Sequence, residues 1–285
     1  MKILYFSNMV EDYLSDNIFY GLRKKFGADV IDLPKKEIMY KNYKSDKEVY
    51  GNGFTMWKLL DDIEVDRENN YEKMKNNEYD YVFFSSIYRQ QLYIAMFINE
   101  GLFKNLKSKF VFLDGEDDGF PTVYDTIQYG TYFKRENPYN YKGINIIGLS
   151  IPGEKVQDKP EPKTRLFSTH VQCFEAFKIS WISQNCTNQK VFTKEEDYYK
   201  DLSISRYGIT MKKSGWDTPR HMENAAHYVV NCIYQGEQKP KDVHPFGFVD
   251  MENCILWNTP EELISKLQQV EKANIYDRLS TASHE

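Results

Sequence analysis

The chain has 285 residues, of which 41% are hydrophobic and 28% charged, with 37 Lys plus Arg against 42 Asp plus Glu and a formal charge of -5. That length exceeds one ordinary core, so two domains of about 100 to 150 residues are expected, and apolar runs along the whole chain set it apart from disordered sequences. No apolar stretch approaches the roughly 18 to 20 residues a bilayer requires, the start through Asn8 is too short and too quickly acidic for a signal peptide, and the lack of a basic surplus disfavours nucleic acid as a main partner. A cytoplasmic protein without transmembrane segments is the expectation.

In chain order, Lys2 to Phe6, closed by Ser7-Asn8, reads as a buried strand running into a polar loop, and Asp16 to Phe26 has helical apolar spacing. Gly27-Ala28 ends that helix, and Asp29 to Leu33 before Pro34 forms the next strand. A β-α-β opening calls for parallel strands, because the crossover helix returns the chain to the same direction. Residues 35–68, rich in Lys, Asn, Tyr and Asp, yield no element. Tyr79 to Ser86 then predicts a strand with a polar exit, Gln90 to Glu100 a helix, and Phe110 to Leu113 a strand ending in the acidic loop Asp114-Gly115-Glu116-Asp117-Asp118. After Tyr132-Phe133-Lys134-Arg135-Glu136 and the run Ile144 to Gly153, the proline- and charge-rich stretch Pro152 to Pro162 reads as a linker. This divides the chain into domains 1–153 and 154–285.

A further alternating series follows. Strands are expected at Thr164 to Thr169, Lys190 to Thr193, Tyr207 to Met211, Tyr228 to Cys232 and Asn253 to Trp257. Helices are expected at Phe174 to Gln184, Glu195 to Ser203, Thr218 to Ala226 and Pro260 to Val270. Two tandem β/α halves place a cleft between sheets, with the loops at the carboxyl ends of the strands facing it.

The stretch Lys212-Lys213-Ser214-Gly215-Trp216-Asp217-Thr218-Pro219-Arg220-His221-Met222-Glu223 is the most informative. Gly215 turns the chain, Asp217 or Thr218 caps a helix and Pro219 opens it. The amides and dipole of such a terminus favour a phosphate or diphosphate. Arg220 falls in the first turn and Glu223 about one turn further on, where its carboxylate can accept hydrogen bonds from both ribose hydroxyls of a nucleotide. The competing reading is a capped helix with an ordinary Arg220–Glu223 surface ion pair.

The segment Gly215 to Glu223 resembles the nucleotide-sugar motif of GT-B glycosyltransferases, especially the spore-maturation-protein-like (CgeB-like) group and more remotely the exostosin-like enzymes. Further stretches agree in order: Leu113 to Asp118 with Tyr132 to Glu136, then Tyr198 to Arg206, then Asn253 to Leu263. The resemblance implies an α/β chain of GT-B type, with two Rossmann-like β/α/β domains facing a central cleft. It implies transfer of a sugar from a nucleotide donor, foremost a UDP-sugar bound by the C-terminal domain, to a glycan or other hydroxyl-bearing acceptor held by the N-terminal one. Glu223 would then hold the ribose, Thr218 the diphosphate, and Arg220 or Arg206 would neutralise the leaving phosphate. No metal and no cofactor are expected, because preorganised positive charge can stabilise the departing diphosphate.

Many retaining relatives carry a second glutamate eight positions before the ribose glutamate; Gly215 stands there. The inverting alternative needs a general base, and Asp114 or Glu116 at the end of a strand are the candidates, since clustered carboxylates raise one another's pKa. A solvated acidic turn, or an ion-pair network with Lys134 and Arg135, competes with that role; the alternative role of those two cations is to orient the donor phosphate. Ser7 and Ser85 at strand ends, with His170 after Thr169, are candidates for the acceptor side. The four cysteines have no paired metal-ligand spacing. Two other functions compete: a magnesium-dependent phosphoryl transferase or hydrolase using residues 114–118, and a catalytically silent nucleotide-sugar-binding protein.

Overall fold

A computed structural model describes residues 1–44, 49–236, 238–240, 243 and 245–285. The chain divides into two compact units, one of residues 1–152 with 242–244, the other of residues 153–241 and 245–285.

The first unit contains β1 (Ile3–Phe6), α1 (Tyr13–Phe26), β2 (Val30–Leu33), α2 (Asn70–Lys75), β3 (Tyr81–Phe84), α3 (Gln91–Asn99), α4 (Leu102–Asn105), β4 (Lys109–Asp114), β5 (Gly130–Lys134) and β6 (Ile144–Ile146). Among the described residues, its strands form a parallel sheet in the order β2, β1, β3, β4, β5, β6. The chain leaves β1 toward β2 and returns beyond β1 to β3, so the strand order reverses there, the switch point at which open α/β sheets bind ligands. Both faces are covered. Ile3 and Tyr5 face one core with Phe19, Trp57 and Val111, whereas Leu4 and Phe6 face another with Val82, Phe84 and Phe112. Alternate residues of a strand point to opposite faces, so burial on both sides makes β1 read as an unbroken apolar run. Phe6, Phe84 and Phe112 occupy one register line, with ring centroids 5.3 Å apart at each step.

Residues 35–68 give no sequence pattern because buried polar side chains, not a repeating backbone ladder, organise much of this region. Lys36 is 1% exposed; its Nζ lies 2.9 Å from Asp16 Oδ1, and Trp57 Nε1 donates to Asp16 Oδ2 at 2.7 Å. Asp32, also buried, accepts from Arg23 Nη2 at 2.9 Å and Arg67 Nη2 at 2.6 Å.

The second unit contains β7 (Arg165–Phe167), α5 (Ser180–Asn185), α6 (Glu195–Ile204), β8 (Ser205–Met211), α7 (Pro219–Ala226), β9 (Val230–Tyr234), β10 (Cys254–Trp257), α8 (Pro260–Ala273) and α9 (Tyr276–His284). Among the described residues its parallel sheet has the order β10, β9, β8, β7. The expected strand at Lys190 to Thr193 is absent: these residues are irregular, and the adjacent Thr187 makes only an isolated bridge with His170. The expected helix at Phe174 to Gln184 is a 3-10 turn, Phe174–Lys178, followed by α5. Helix α9 was not expected from the sequence; Tyr276 and Leu279 bury it against the core, and Tyr276 Oη donates to the Tyr228 carbonyl at 3.2 Å.

Candidate functional site

In the second unit, the chain leaves the carboxyl end of β8, turns through residues 212–218 and enters α7. Thr218 is the N-cap in extended conformation and Pro219 occupies the first turn, where its fixed φ suits the helix and its missing N–H costs nothing. His221 N donates to the Thr218 carbonyl at 3.1 Å, while the Thr218 hydroxyl makes no capping bond. The helix end therefore offers fewer first-turn amides than a generic terminus, but it keeps a hydroxyl. Gly208 permits α7 to lie close against β8, since a Cβ there would stand 2.3 Å from Asn224 Nδ2. Asn224 Nδ2 donates to Asn231 Oδ1 at 2.9 Å, and Asn231 Nδ2 donates to the His221 carbonyl at 3.0 Å, tying the helix to β9.

This joint forms a pocket lined by Gln172, Thr210, Met211, Lys213, Thr218 and Arg220. Lys213 Nζ donates to the Gln172 carbonyl at 3.2 Å, and both burial and the Arg220 charge push its pKa down. Thr210, 5% exposed, has a hydroxyl with no partner among the described residues. Two cations that raise each other's cost, beside buried hydroxyls, make a pocket whose electrostatics improve when an anion enters.

Arg220 is held from behind. Its guanidinium lies 5.1 Å from the centroid of the Tyr198 ring, Nε is 3.5 Å from Glu223 Oε2, and Nη1 donates to the His170 carbonyl at 3.4 Å. Tyr198 Oη donates to Glu223 Oε2 at 2.5 Å. Burial raises the Tyr198 pKa well above its ordinary value, with Glu223 adding to the rise against the opposing Arg220, so the phenol stays a donor. Burial first, then Arg220, pushes His170 down to about 4, so its ring is neutral at pH 7. Glu223 is 8% exposed, which distinguishes the pair it makes with Arg220 from an ordinary surface ion pair.

The structure brings Asp217, Thr218, Arg220 and Glu223 together around this end of α7, with Gly215 in the turn before it; Asp217, Thr218 and Glu223 are buried. One expectation is corrected in this unit. Arg206 sits at the amino end of β8, about 16 Å along the strand from Met211, where it pairs with Glu271 at 2.7 Å and lies over the Tyr276 ring. His170 belongs to the second unit, where its ring lies against Arg220.

In the first unit, Asp114 ends β4 and is 1% exposed. It accepts from Thr122 N at 2.9 Å, Tyr132 Oη at 2.7 Å and Glu116 N at 3.2 Å, with Lys134 Nζ 3.3 Å away. A carboxylate so enclosed closes a loop; it is not positioned as a free base. Lys134 is wholly buried against Asp114, with Asp118 at 3.7 Å, and Arg135 pairs with Asp117. Both cations are thus taken up by the acidic loop, the ion-pair alternative recognised in the sequence, and do not stand ready for a donor phosphate. Glu116 differs: it is half-buried, burial raises its pKa, and Arg89, 3.6 Å away, opposes the rise. Ser7 and Ser85 do end β1 and β3, but both are buried; Ser7 Oγ donates to the Pro34 carbonyl, and Gln90 Nε2 donates to Ser85 Oγ at 3.5 Å.

Lys213, Tyr198, Thr210 and Arg89 had no assigned role from sequence. The position of Lys213, between a strand end and a glycine turn, was a usable signal; Tyr198 and Arg89 reach their partners only through folding. Among the described residues, no group of three or more His, Cys, Asp or Glu side chains is placed to hold a metal, and no helix is long and apolar enough to cross a membrane.

No protein-family model matches the chain, and no curated protein matches it in sequence. Solved structures do. An alpha-glucosyltransferase in complex with UDP superposes with a TM-score of 0.53 at 12% identity, covering 100% of this chain and 94% of that one. A complex of alpha-glucosyltransferase with UDP and a 13-mer DNA containing an HMU base gives 0.53 at 12% identity, over 99% and 93%. One with UDP-glucose and DNA containing an abasic site gives 0.51 at 11%, over 100% and 94%. The chain has the GT-B fold of these glycosyltransferases, built from two Rossmann-like units. Two of these structures hold DNA, so the expectation from net charge that nucleic acid is disfavoured gains no support from them.

Proposed function

We propose that this protein transfers a sugar from a nucleoside-diphosphate donor, foremost a UDP-sugar, to an acceptor hydroxyl without a metal ion. The observation that carries the reading is the pocket at the carboxyl end of β8, lined by Arg220 and Lys213 together with Thr210 and Thr218. The fold, and the UDP or UDP-glucose bound by its structural neighbours, support the same donor class. The ordered motifs support kinship with the spore-maturation-protein-like group.

In this reading the acceptor oxygen attacks the anomeric carbon, the bond from that carbon to the diphosphate oxygen breaks, and its electron pair leaves on the diphosphate. Arg220 and Lys213 neutralise the charge that builds there, a form of preorganised stabilisation commonly worth several kcal/mol. Glu116 takes the acceptor proton, for which a carboxylate with a raised pKa is suited. Glu223 contributes to the ribose contact while holding Arg220 and Tyr198. The acidic loop is matched by Lys134, Arg135 and Arg89 within the protein, which favours this reading over a magnesium-dependent phosphoryl transferase.

Calorimetric titration with UDP and a panel of nucleotide sugars in EDTA tests it. Micromolar binding, weakened tenfold or more (about 1.4 kcal/mol) in Arg220→Ala and Glu223→Ala, is expected. Absence of nucleotide binding, or binding that requires Mg²⁺ and ignores both substitutions, overturns it. Turnover of a bound donor separates an enzyme from a silent binding protein.

A further inference from the structure

The first unit carries exposed aromatic rings that its core does not use. Phe120 and Tyr139 are 60% and 62% exposed, with centroids 5.1 Å apart and planes inclined by only 32°. Tyr141 stands edge-on to Tyr139 at 6.3 Å, and Tyr124 packs against Tyr141 at 5.6 Å. Large exposed rings in a cluster are unusual on a free surface and mark a binding face.

The face is prebuilt. Asp114 pins both ends of the loop that bears Phe120, through Glu116 N at 3.2 Å and Thr122 N at 2.9 Å. Asn137 Oδ1 accepts from Tyr141 N at 3.0 Å and so shapes the loop bearing Tyr139. Gly119 lets these loops touch: a Cβ there would lie 2.6 Å from Pro138 Cγ and 2.8 Å from Tyr139 Cε2. Glu116, the proposed base, belongs to the same loop as Phe120, and both loops follow the carboxyl ends of adjacent strands, β4 and β5.

The surrounding charge selects the occupant. Asp117, Asp118 and Asp125 are exposed beside the rings; Arg135 is buried and paired with Asp117, Lys134 is buried between Asp114 and Asp118, Arg89 is shared between Asp12 and Glu116, and Lys142 is exposed next to Tyr141, so the carboxylates outnumber the cations. Phosphodiesters would meet net negative charge here. A neutral sugar ring presents an apolar C–H face that stacks on aromatic rings, and hydroxyls that donate to carboxylates, which act only as acceptors when ionised.

We infer that Phe120 and Tyr139 form the platform on which the acceptor binds, and that the acceptor is a neutral saccharide whose hydroxyls are taken by Asp117 and Asp118. This rests on the glycosyl-transfer reading for its role, but its test does not. The intact protein is titrated, with and without saturating UDP, against neutral gluco-, manno- and galacto-oligosaccharides and against a single-stranded 13-mer DNA. At least one saccharide series should bind. Phe120→Ala and Tyr139→Ala should each weaken it tenfold or more, Tyr139→Phe should retain most of the affinity, and UDP binding and the thermal melt should not change. No saccharide binding, saccharide binding indifferent to both alanine variants, or binding of the DNA alone at these rings overturns the inference. Failure to bind UDP, by contrast, overturns the donor reading and leaves the saccharide result to stand by itself.

Discussion

Tyr198 and Glu223, on separate helices, meet through a 2.5 Å hydrogen bond, and the Arg220 guanidinium lies against both. The contact joins α6 to α7, so the orientation of a cation at the pocket depends on a phenol outside it. Tyr198→Phe should keep the ring beneath Arg220 and lose only the hydroxyl. UDP affinity is therefore expected to fall about three- to tenfold in this variant, consistent with roughly 1 kcal/mol for a hydrogen bond, and less than in Arg220→Ala. Calorimetry on both variants checks the order.

Arg220→Lys should recover little of the UDP affinity lost in Arg220→Ala. A lysine keeps the charge but lacks the planar fork that reaches Glu223 and the His170 carbonyl together and would leave an edge for the proposed diphosphate. Equal affinity of Arg220→Lys and wild type would show that charge alone suffices there.

Glu116 predicts a displaced pH profile. Its pKa lies above the ordinary carboxylate value because of burial, and Arg89 counteracts that rise. A base works when deprotonated, so the acid limb of kcat/KM should lie higher than for an ordinary glutamate, and Arg89→Ala should move it higher still. Glu116→Gln should abolish the limb and most of the turnover while UDP binding persists.

His170 predicts a pH dependence of stability. Its folded pKa, about 4, is below the unfolded value of about 6.5. Above that unfolded value the ring is neutral in both states and contributes nothing; as pH falls from there toward 4, the unfolded chain takes up a proton that the folded one refuses, and stability drops. Urea midpoints should therefore fall between pH 7 and pH 5, and His170→Gln should flatten that part of the curve.

Asp114 should matter to folding before it matters to chemistry. Asp114→Ala leaves Lys134 buried without its nearer carboxylate and removes the acceptor of Thr122 N, while Tyr132 Oη keeps the Thr122 carbonyl. A loss of about 3–5 kcal/mol is expected for breaking a buried pair in this way, measured as a lowered urea midpoint at unchanged m-value. Gly208→Ala is expected to cost about 1–3 kcal/mol, because Asn224, 0% exposed and bonded to Asn231, has little room to yield to the added Cβ.

Elements with local signatures were readable in advance. The apolar run before Ser7-Asn8, the glycine after Phe26 and the pair Thr218-Pro219 each carry their meaning within a few residues, as do β1 to β4 and the strands of the second unit, whereas β5 and β6 have no such signature. Where local pattern was weak, the reading failed: Lys190 to Thr193 resembles a strand in composition but finds no neighbour to complete a ladder. The α7 region was legible because cap, proline, arginine and glutamate lie within one short segment.

The sequence by itself determined the alternation of strands and helices and the start of α7, since periodicity and capping depend on near neighbours along the chain. Only the tertiary structure decided which charges are free. Lys36 and Lys134 look like surface lysines in sequence and are buried with carboxylates; Arg206 follows the motif order but stands at the other end of β8; His170 turns out to be a neighbour of Arg220. Burial and ion pairing are set by residues tens of positions apart, and their strength depends on how much water the packed chain excludes.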